Sequence, residues 1–367
     1  APVEPEMEGG AEEAEPEPPS EEEEQAEVDD LLAVDAMRLE VGYGLVNLLQ
    51  SRDVLDRIRS MRRQIAREMG FVVPPIHIKD NLSLDMYTYR VYIRDGRVAE
   101  GNIYPNRLLA LDSGAVSQEV PGEETREPAF GLPAVWIDTE QRDEAAFNGY
   151  TVVDPASALM THITEVIRSH GHELLSRQAV QHLLDNLAED YPKVVEEVVP
   201  DRLPLGAVQK VLQNLLHEGV PIRDLLTILE TLGDVAPMTQ NLRVLTEHVR
   251  RALSRLITQQ FSDEQGMLAV VTLDPDLEDK LSQNLPERGE ADEMQLDPSF
   301  AQSLLQSLNE TLQQVMNEME QPVLLTTPAL RPHLAELLMP FIQGLRVIST
   351  LELTRDAQVR NVASVQL

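Results

Sequence analysis

Between residues 155 and 256 the apolar side chains recur at helical spacing almost without a break, and this run limits the possible folds more than any other feature. Asp154-Pro155 is a helix-start signal, and residues 155–171 read as one helix. From about 173 onward, "LSRQAVQHLLDNLAED" is amphipathic, and "LPLGAVQKVLQNLLHEG" places Val208, Val211, Leu212 and Leu215 on one side before stopping at Gly219. Pro221 restarts the chain into "PIRDLLTILETLGD", with Leu225, Ile228, Leu229 and Leu232, and "NLRVLTEHVRRALSRLITQQ" closes the run. Stripes of this kind are buried by packing helix on helix.

The texture differs on both sides of this block. Residues 52–69 predict a helix with Leu55, Ile58, Ile65 and Met69 on its apolar side, Asp53 as a possible N-cap and Gly70 as the stop. Its arginines form a positive face that reads as paired with Asp/Glu and solvent. A short strand is expected near 76–79. A β-hairpin follows in "YTYRVYIRDGRVAEGNI", with Tyr87, Tyr89, Val91 and Ile93 on one face and Asp95-Gly96 as turn chemistry. Residues 106–154 predict strands and turns, with a short helix around 139–148. At the far end, strands at 267–273, 322–327 and "LRVISTLEL" alternate with helices begun by Asp274-Pro275 and Asp297-Pro298 and with the helix "ALRPHLAELLMPFI". An acidic loop falls at 285–296. Such alternation predicts a small αβ layer with a buried, partly parallel sheet.

At 367 residues the chain has room for two or three compact units. Its residues are 42% hydrophobic but only 4% aromatic, so the cores are expected to be Leu, Val, Ile and Ala. The absence of cysteine excludes disulfides and thiolate chemistry and is consistent with a reducing compartment. Net charge is −33, which makes phosphate contact repulsive and argues against nucleic acid as a partner. Residues 1–30 hold fourteen of the acidic side chains with no Lys or Arg, and read as a tether unable to bury itself. Apolar residues return from Val28, so the tether's end is a candidate for docking. No run of about twenty apolar residues is present to span a bilayer. The chain begins at Ala1 and shows no signal peptide, so a portion of a longer protein is expected.

No catalytic signature is present: no Walker A loop, no G-x-G-x-x-G and no G-x-S-x-G. His162, His170 and His172 invite a metal reading, but on a helix the last two lie about 200° apart and cannot share an ion. They read as ordinary surface or half-buried histidines. The segment "VQKVLQNLLHEGVPIRDLLTILE" has a helix-turn-helix layout, yet its second helix offers Arg223 beside Asp224 and Glu230, so a packed helix pair is the better reading. Recognition remains. With six Phe and one Trp in the whole chain, Phe130 and Trp136 stand close together in "ETREPAFGLPAVWID", framed by Pro128, Gly131 and Pro133. Phe130 and Leu132 share a face if extended, as do Leu109 and Leu111, which together sketch a shallow apolar groove. A buried small core satisfies the same pattern. Trp136 is assigned to core.

The segments "LEVGYGLVNLL", "DRIRSMRRQIAREMGFVVPPIHIKDNLSL", "YRVYIRDGRVAEGNIYPNRLLAL", "EPAFGLPAVWI", "GYTVVDPASALMTHITEVI", "ELLSRQAVQHLLD" and "KVLQNLLHEGVPIRDLLTILETL" resemble, in order, the cytoplasmic domain of type III export gate proteins, the FlhA family in flagella. The resemblance covers roughly residues 28–367, and "RVISTLEL" is similar to the flagellar branch rather than the injectisome branch. It implies an α+β multidomain fold of four subdomains: a mixed αβ N-terminal pair, an all-helical middle and a small α/β C-terminal layer. On this chain the division is a linker at 1–32, a first subdomain at 33–105 plus 155–174, a second inserted at 106–154, a third at 175–255 and a fourth at 256–367.

The resemblance further implies a non-enzymatic part of a membrane-anchored protein at the cytoplasmic face of the bacterial inner membrane, with no cofactor or metal. It implies a nonameric ring that receives export chaperones with late flagellar substrates, and contacts with an export switch protein and an ATPase complex. The family's chaperone dimple falls here on Leu109, Leu111, Glu127, Phe130, Leu132 and Thr161, with Phe130 as anchor and Glu127 and Thr161 as polar rim. Glu127 stands where the family has Asp, and Ser113 where it has Pro. The family's linker aromatic is replaced by Val28 or a neighbouring Leu. Gly42 matches a glycine tied to switching between open and closed forms. An injectisome ring domain and, more remotely, a soluble hydrolase using scattered carboxylates are the alternatives.

Overall fold

The computed structural model describes residues 34–286, 294, 296–315, 319 and 321–367. The expected tether, with Val28, and most of the loop at 285–296 lie outside these residues. Mixed helix and sheet make this an α+β fold with three four-stranded sheets among the described residues.

The first sheet has the order β2-β1-β3-β4, with β1 Met37–Val41, β2 His77–Asp80, β3 Thr88–Ile93 and β4 Gly96–Asn102. β1 runs parallel to β2 and antiparallel to β3. Met37, Leu39 and Val41 alternate inward from β1, as Tyr89, Val91 and Ile93 do from β3. The β3–β4 hairpin is present, but its left-handed residues are Arg94 and Asp95, at φ 46° and 66°, while Gly96 already pairs with Ile93. The helix Arg52–Met69 ends at Gly70. There φ is 87° and a Cβ would lie 2.4 Å from the Arg223 nitrogen, so both conformation and space require glycine. Its N-cap is Ser51 rather than Asp53: the Ser51 hydroxyl accepts from the Val54 N–H, and Asp53 instead takes Arg57 at 2.8 Å. Val54, Ile58, Met61, Ile65 and Met69 form the buried stripe, and Leu55, one position off it, is 38% exposed.

The second sheet has the order β6-β7-β5-β8, with β5 Arg107–Leu111, β6 Glu123–Arg126, β7 Pro133–Asp138 and β8 Thr151–Val153. All of its pairings are antiparallel. The short helix Arg142–Phe147 follows β7, and Asp154 then caps the helix Pro155–Ser169 by accepting the Ser157 N–H at 2.9 Å.

The helical block follows. Leu205–His217 packs Val208, Val211, Leu212 and Leu215 into the same core that holds Ile228, Leu229 and Leu232 of Leu225–Val235, the packed-pair reading of the helix-turn-helix layout. The third sheet has the order β11-β10-β9-β12, with β9 Met267–Leu273, β10 Val323–Thr326, β11 Arg346–Ser349 and β12 Gln358–Val365. It differs from expectation in three ways. Its pairings are all parallel rather than partly so. β11 stops at Ser349, where the Glu352 side chain and Ser349 close a capping box and Thr350–Glu352 becomes a 3-10 turn. β12 is a strand that the apolar pattern does not announce.

A buried ionic network joins the helical block to this last layer. Arg250 of the helix Leu242–Ala252 meets Glu218 at 2.7 Å and Glu352 at 2.5 Å. Arg331, at the start of Arg331–Leu338, bonds Glu218 and Glu247, with Glu352 at 3.8 Å. Burial pushes the Glu247 carboxyl up to about 7, against the pull of Arg331 and Arg250.

Candidate docking site

The β6–β7 connection, residues 127–132, is a turn braced from within. The Glu127 N–H donates to the Leu132 carbonyl at 2.8 Å, and the Gly131 N–H to the Glu127 carbonyl at 2.9 Å. Gly131 takes φ 70°, the conformation that glycine adopts at least cost. Arg126 adds a bond from its guanidinium to the Gly131 carbonyl at 2.9 Å. The turn leaves Phe130 57% and Leu132 38% exposed.

The remaining predicted residues divide. Leu111 is half-buried on β5 opposite Ala134. Thr161 is exposed on Pro155–Ser169, its hydroxyl donating to the Ser157 carbonyl at 3.0 Å. Leu109 is a correction: it is fully buried opposite Trp136 and offers no surface to a partner. Trp136 is itself core, edge-on to Tyr104 at 5.3 Å. Glu127 is the second correction. It is 4% exposed and no rim group: Oε1 accepts the Ala129 N–H at 2.8 Å and Oε2 the Phe130 N–H at 2.7 Å.

Beneath the turn lies a polar pair without a sequence signal. The Tyr89 hydroxyl and His162 Nδ1 stand 2.6 Å apart, both buried. Burial, reinforced by the Glu127 charge, pushes the Tyr89 phenol up. Burial lowers His162 in spite of that charge, which favours the neutral imidazole beside the Tyr89 hydroxyl. A Cβ at position 101 would lie 2.5 Å from the Tyr89 oxygen, which explains Gly101 on β4. The other two histidines of the sequence reading sit apart from it. His170 faces the Val166 carbonyl, and His172 packs edge-on to His217 with ring centroids 4.6 Å apart.

Arg57 ties the two helices under this region together, donating to Ser157 Oγ at 2.8 Å while holding Asp53. A cleft of about 220 Å³ opens there, lined by Leu108, Arg142, Val152, Val153, Asp154 and Ser157. Gly42, just after β1, has an extended backbone, φ −65° and ψ 154°, so conformation does not demand glycine. Space does: a Cβ would lie 2.1 Å from the Asp85 oxygen and 2.8 Å from that of Met86. The Gly42 N–H donates to the Thr88 carbonyl at 2.8 Å across this close approach.

The sequence model of the FHIPEP family matches residues 4–358. The chain belongs to the FHIPEP family. Among curated relatives, it is 40% identical over 357 residues to the flagellar biosynthesis protein FlhA of Bacillus subtilis (strain 168), covering 94% of this chain and 53% of that protein. It is 40% identical over 339 residues to FlhA of Escherichia coli (strain K12), covering 92% and 48%. The chain thus spans about half the length of the curated relatives it matches. The Chlamydia pneumoniae CdsV protein shares the fold with a TM-score of 0.81 at 25% identity, over 91% of this chain and 98% of that one. Nonameric EPEC SctV-C does so at 0.73 and 19% identity, over 91% and 99%. The relatives' names denote flagellar biosynthesis and no enzymatic reaction. Among the described residues no helix is long and apolar enough to cross a membrane.

Proposed function

We propose that this FHIPEP chain is the cytoplasmic docking platform of a flagellar type III export gate, which binds export chaperones loaded with late substrates and orders their export. Phe130 carries the reading: a large aromatic ring stands exposed on a turn stiffened by Pro128 and an internal hydrogen-bond set. A preorganised apolar anchor gives binding energy without the entropy of ordering a loop. Leu132, Leu111 and Thr161 complete the surface, with Leu109 acting only as packing beneath it. The proposal retains the four-subdomain division and the role of Gly42 in opening and closing. Nonameric SctV-C supports a ring of nine copies, and the complex of CdsV with CdsO supports contact with a further protein, for which the export switch protein and the ATPase complex are proposed. Flagellar rather than injectisome membership is favoured because identity to FlhA proteins reaches 40% against 25% to CdsV. The full protein is then anchored at the inner membrane by a part outside this sequence.

Calorimetry of the chain with a purified flagellar chaperone–substrate complex tests the reading. Phe130→Ala is expected to weaken binding by about 2 kcal/mol, roughly thirtyfold. Unchanged affinity with an unchanged circular dichroism spectrum overturns it.

A further inference from the structure

We infer that Tyr104 is a positioning residue: it holds the sheet that carries Phe130 at a fixed angle to the first sheet and the Pro155–Ser169 helix, and so sets partner affinity from outside the docking surface. This role rests on the reading of Phe130 as the anchor. That surface is drawn from two bodies. Phe130, Leu132 and Leu111 belong to the second sheet and its turn, and Thr161 belongs to the helix, which Tyr89 and His162 tie to β3. The chain crosses between them twice, at residues 103–106 between β4 and β5 and at Asp154 between β8 and the helix. Tyr104 stands in the first crossing. Its ring is met edge-on by Tyr87, just ahead of β3, and by Trp136 of β7, each with ring centroids 5.3 Å away. Its hydroxyl donates to Glu123 Oε1 of β6 at 2.8 Å. Arg107, which opens β5, bonds the other Glu123 oxygen at 2.8 Å and lies 5.2 Å from the Tyr104 ring centroid. One side chain thus reaches both sheets at the point where the chain passes from one to the other.

The grip acts at a distance from the anchor. Glu123 pairs with Trp136 at one end of the β6–β7 hairpin, and Arg126 pairs with Pro133 at the other, beside the turn. Three strand residues separate the two ends, about 10 Å, so about 10° of play at Tyr104 moves Phe130 by roughly 2 Å. An anchor displaced that far no longer seats together with Thr161 against one partner face, and the benefit of a preorganised surface is lost. The rings are expected to supply most of the hold. Edge-to-face aromatic pairs gain from their geometry beyond the area they cover, and Trp136 is fixed in the core at 3% exposure. The Glu123 side chain is 52% exposed, so water competes for its bonds.

The test combines a binding cycle with a distance measurement that needs no partner. Four variants are titrated with the purified chaperone–substrate complex: Tyr104→Leu, which fills the space without a ring or hydroxyl, Tyr104→Phe, Phe130→Ala and the Tyr104→Leu/Phe130→Ala double variant. The chain has no cysteine, so Glu124→Cys on β6 and Ser169→Cys at the end of the helix supply its only thiols for spin labels. The distance distribution between the two labels is measured in the free chains. Tyr104→Leu is expected to weaken binding roughly fivefold when Phe130 is present and less than about twofold when it is absent. Tyr104→Phe, which keeps the ring, is expected to stay within about twofold of the parent chain. The label distance is expected to broaden or shift in Tyr104→Leu and to keep the parent width in Tyr104→Phe. Unchanged affinity in Tyr104→Leu, an effect that persists at full size without Phe130, or an unchanged distance distribution overturns the inference. If Phe130→Ala binds as the parent chain does, the docking reading fails, while the distances still decide whether Tyr104 holds the two sheets together. If Tyr104→Leu does not fold, Tyr87→Leu, which frees the ring on the side of the first sheet, takes its place with the same outcomes.

Discussion

Replacing Arg331 with Met removes the centre of the ionic network while keeping a side chain of comparable length. Arg331 is 1% exposed and is shared by Glu218, Glu247 and, at 3.8 Å, Glu352. After the change Arg250 still holds Glu218 and Glu352 at 2.7 and 2.5 Å, but Glu247 loses the guanidinium it bonds. Removing one member of a buried ion group costs about 3–5 kcal/mol, mostly as uncompensated charge. The cost depends on pH because Glu247 titrates near neutrality. Its carboxyl is held at about 7 in the folded chain, above the ordinary 4.5. Its contribution to stability is therefore complete below about 4.5 and is lost as pH rises through about 7. At pH 6 the acid is mostly neutral in both chains; without the Arg331 charge that pulls it down it stays neutral to higher pH, so the variant goes on losing stability where the parent levels off. Urea unfolding followed by far-ultraviolet circular dichroism should show a deficit larger at pH 8 than at pH 6 by about 1–2 kcal/mol. Adding Glu247→Gln should recover part of the pH 8 deficit. A loss below about 1 kcal/mol at both pH values, or a larger loss at pH 6, refutes the reasoning.

His172 is held at about 4 by burial and by His217, His170 and Lys210, below its ordinary 6.5, so its contribution is present above about 6.5 and is lost as pH falls through about 4. It opposes Glu247 across the interval they share, and His172→Gln should make stability decline more steeply from pH 5 to 7.5, by on the order of 2 kcal/mol; an unchanged slope in urea titrations counts against it. Gly42→Ala should lower stability by about 1–3 kcal/mol, since the added carbon meets the Asp85 and Met86 main chain, which has no rotamer to yield; a thermal midpoint equal to that of the parent chain disproves the close approach.

Local patterns were legible wherever the residues that make an element also bury it. The Arg52–Met69 helix and β9 appear with the boundaries that periodicity and stop signals suggest, because apolar spacing marks their extent and Gly70 ends the helix. β12 was not legible: as an edge strand it buries only Val365 fully, so no alternation marks it. Leu55 and Met61 exchange roles because helical spacing permits either stripe until packing against the rest of the chain selects one. In the candidate site, the turn and its scarce aromatic ring could be read directly. The duty of Glu127 could not, since a carboxylate at that spacing serves equally as a rim charge or as a brace.

By itself the order of residues determined the helical block, the stiffened turn at 127–132 and the glycine that ends the first long helix, because each depends on neighbours within a few positions. Only the tertiary structure decided that Leu109 is sealed while Phe130 stands open, that Tyr89 meets His162 across 73 residues, and that Arg331 meets Glu218 across 113. Burial and charge pairing at such separations arise when distant surfaces pack, and nothing within a helix turn or a hairpin encodes which surfaces those will be.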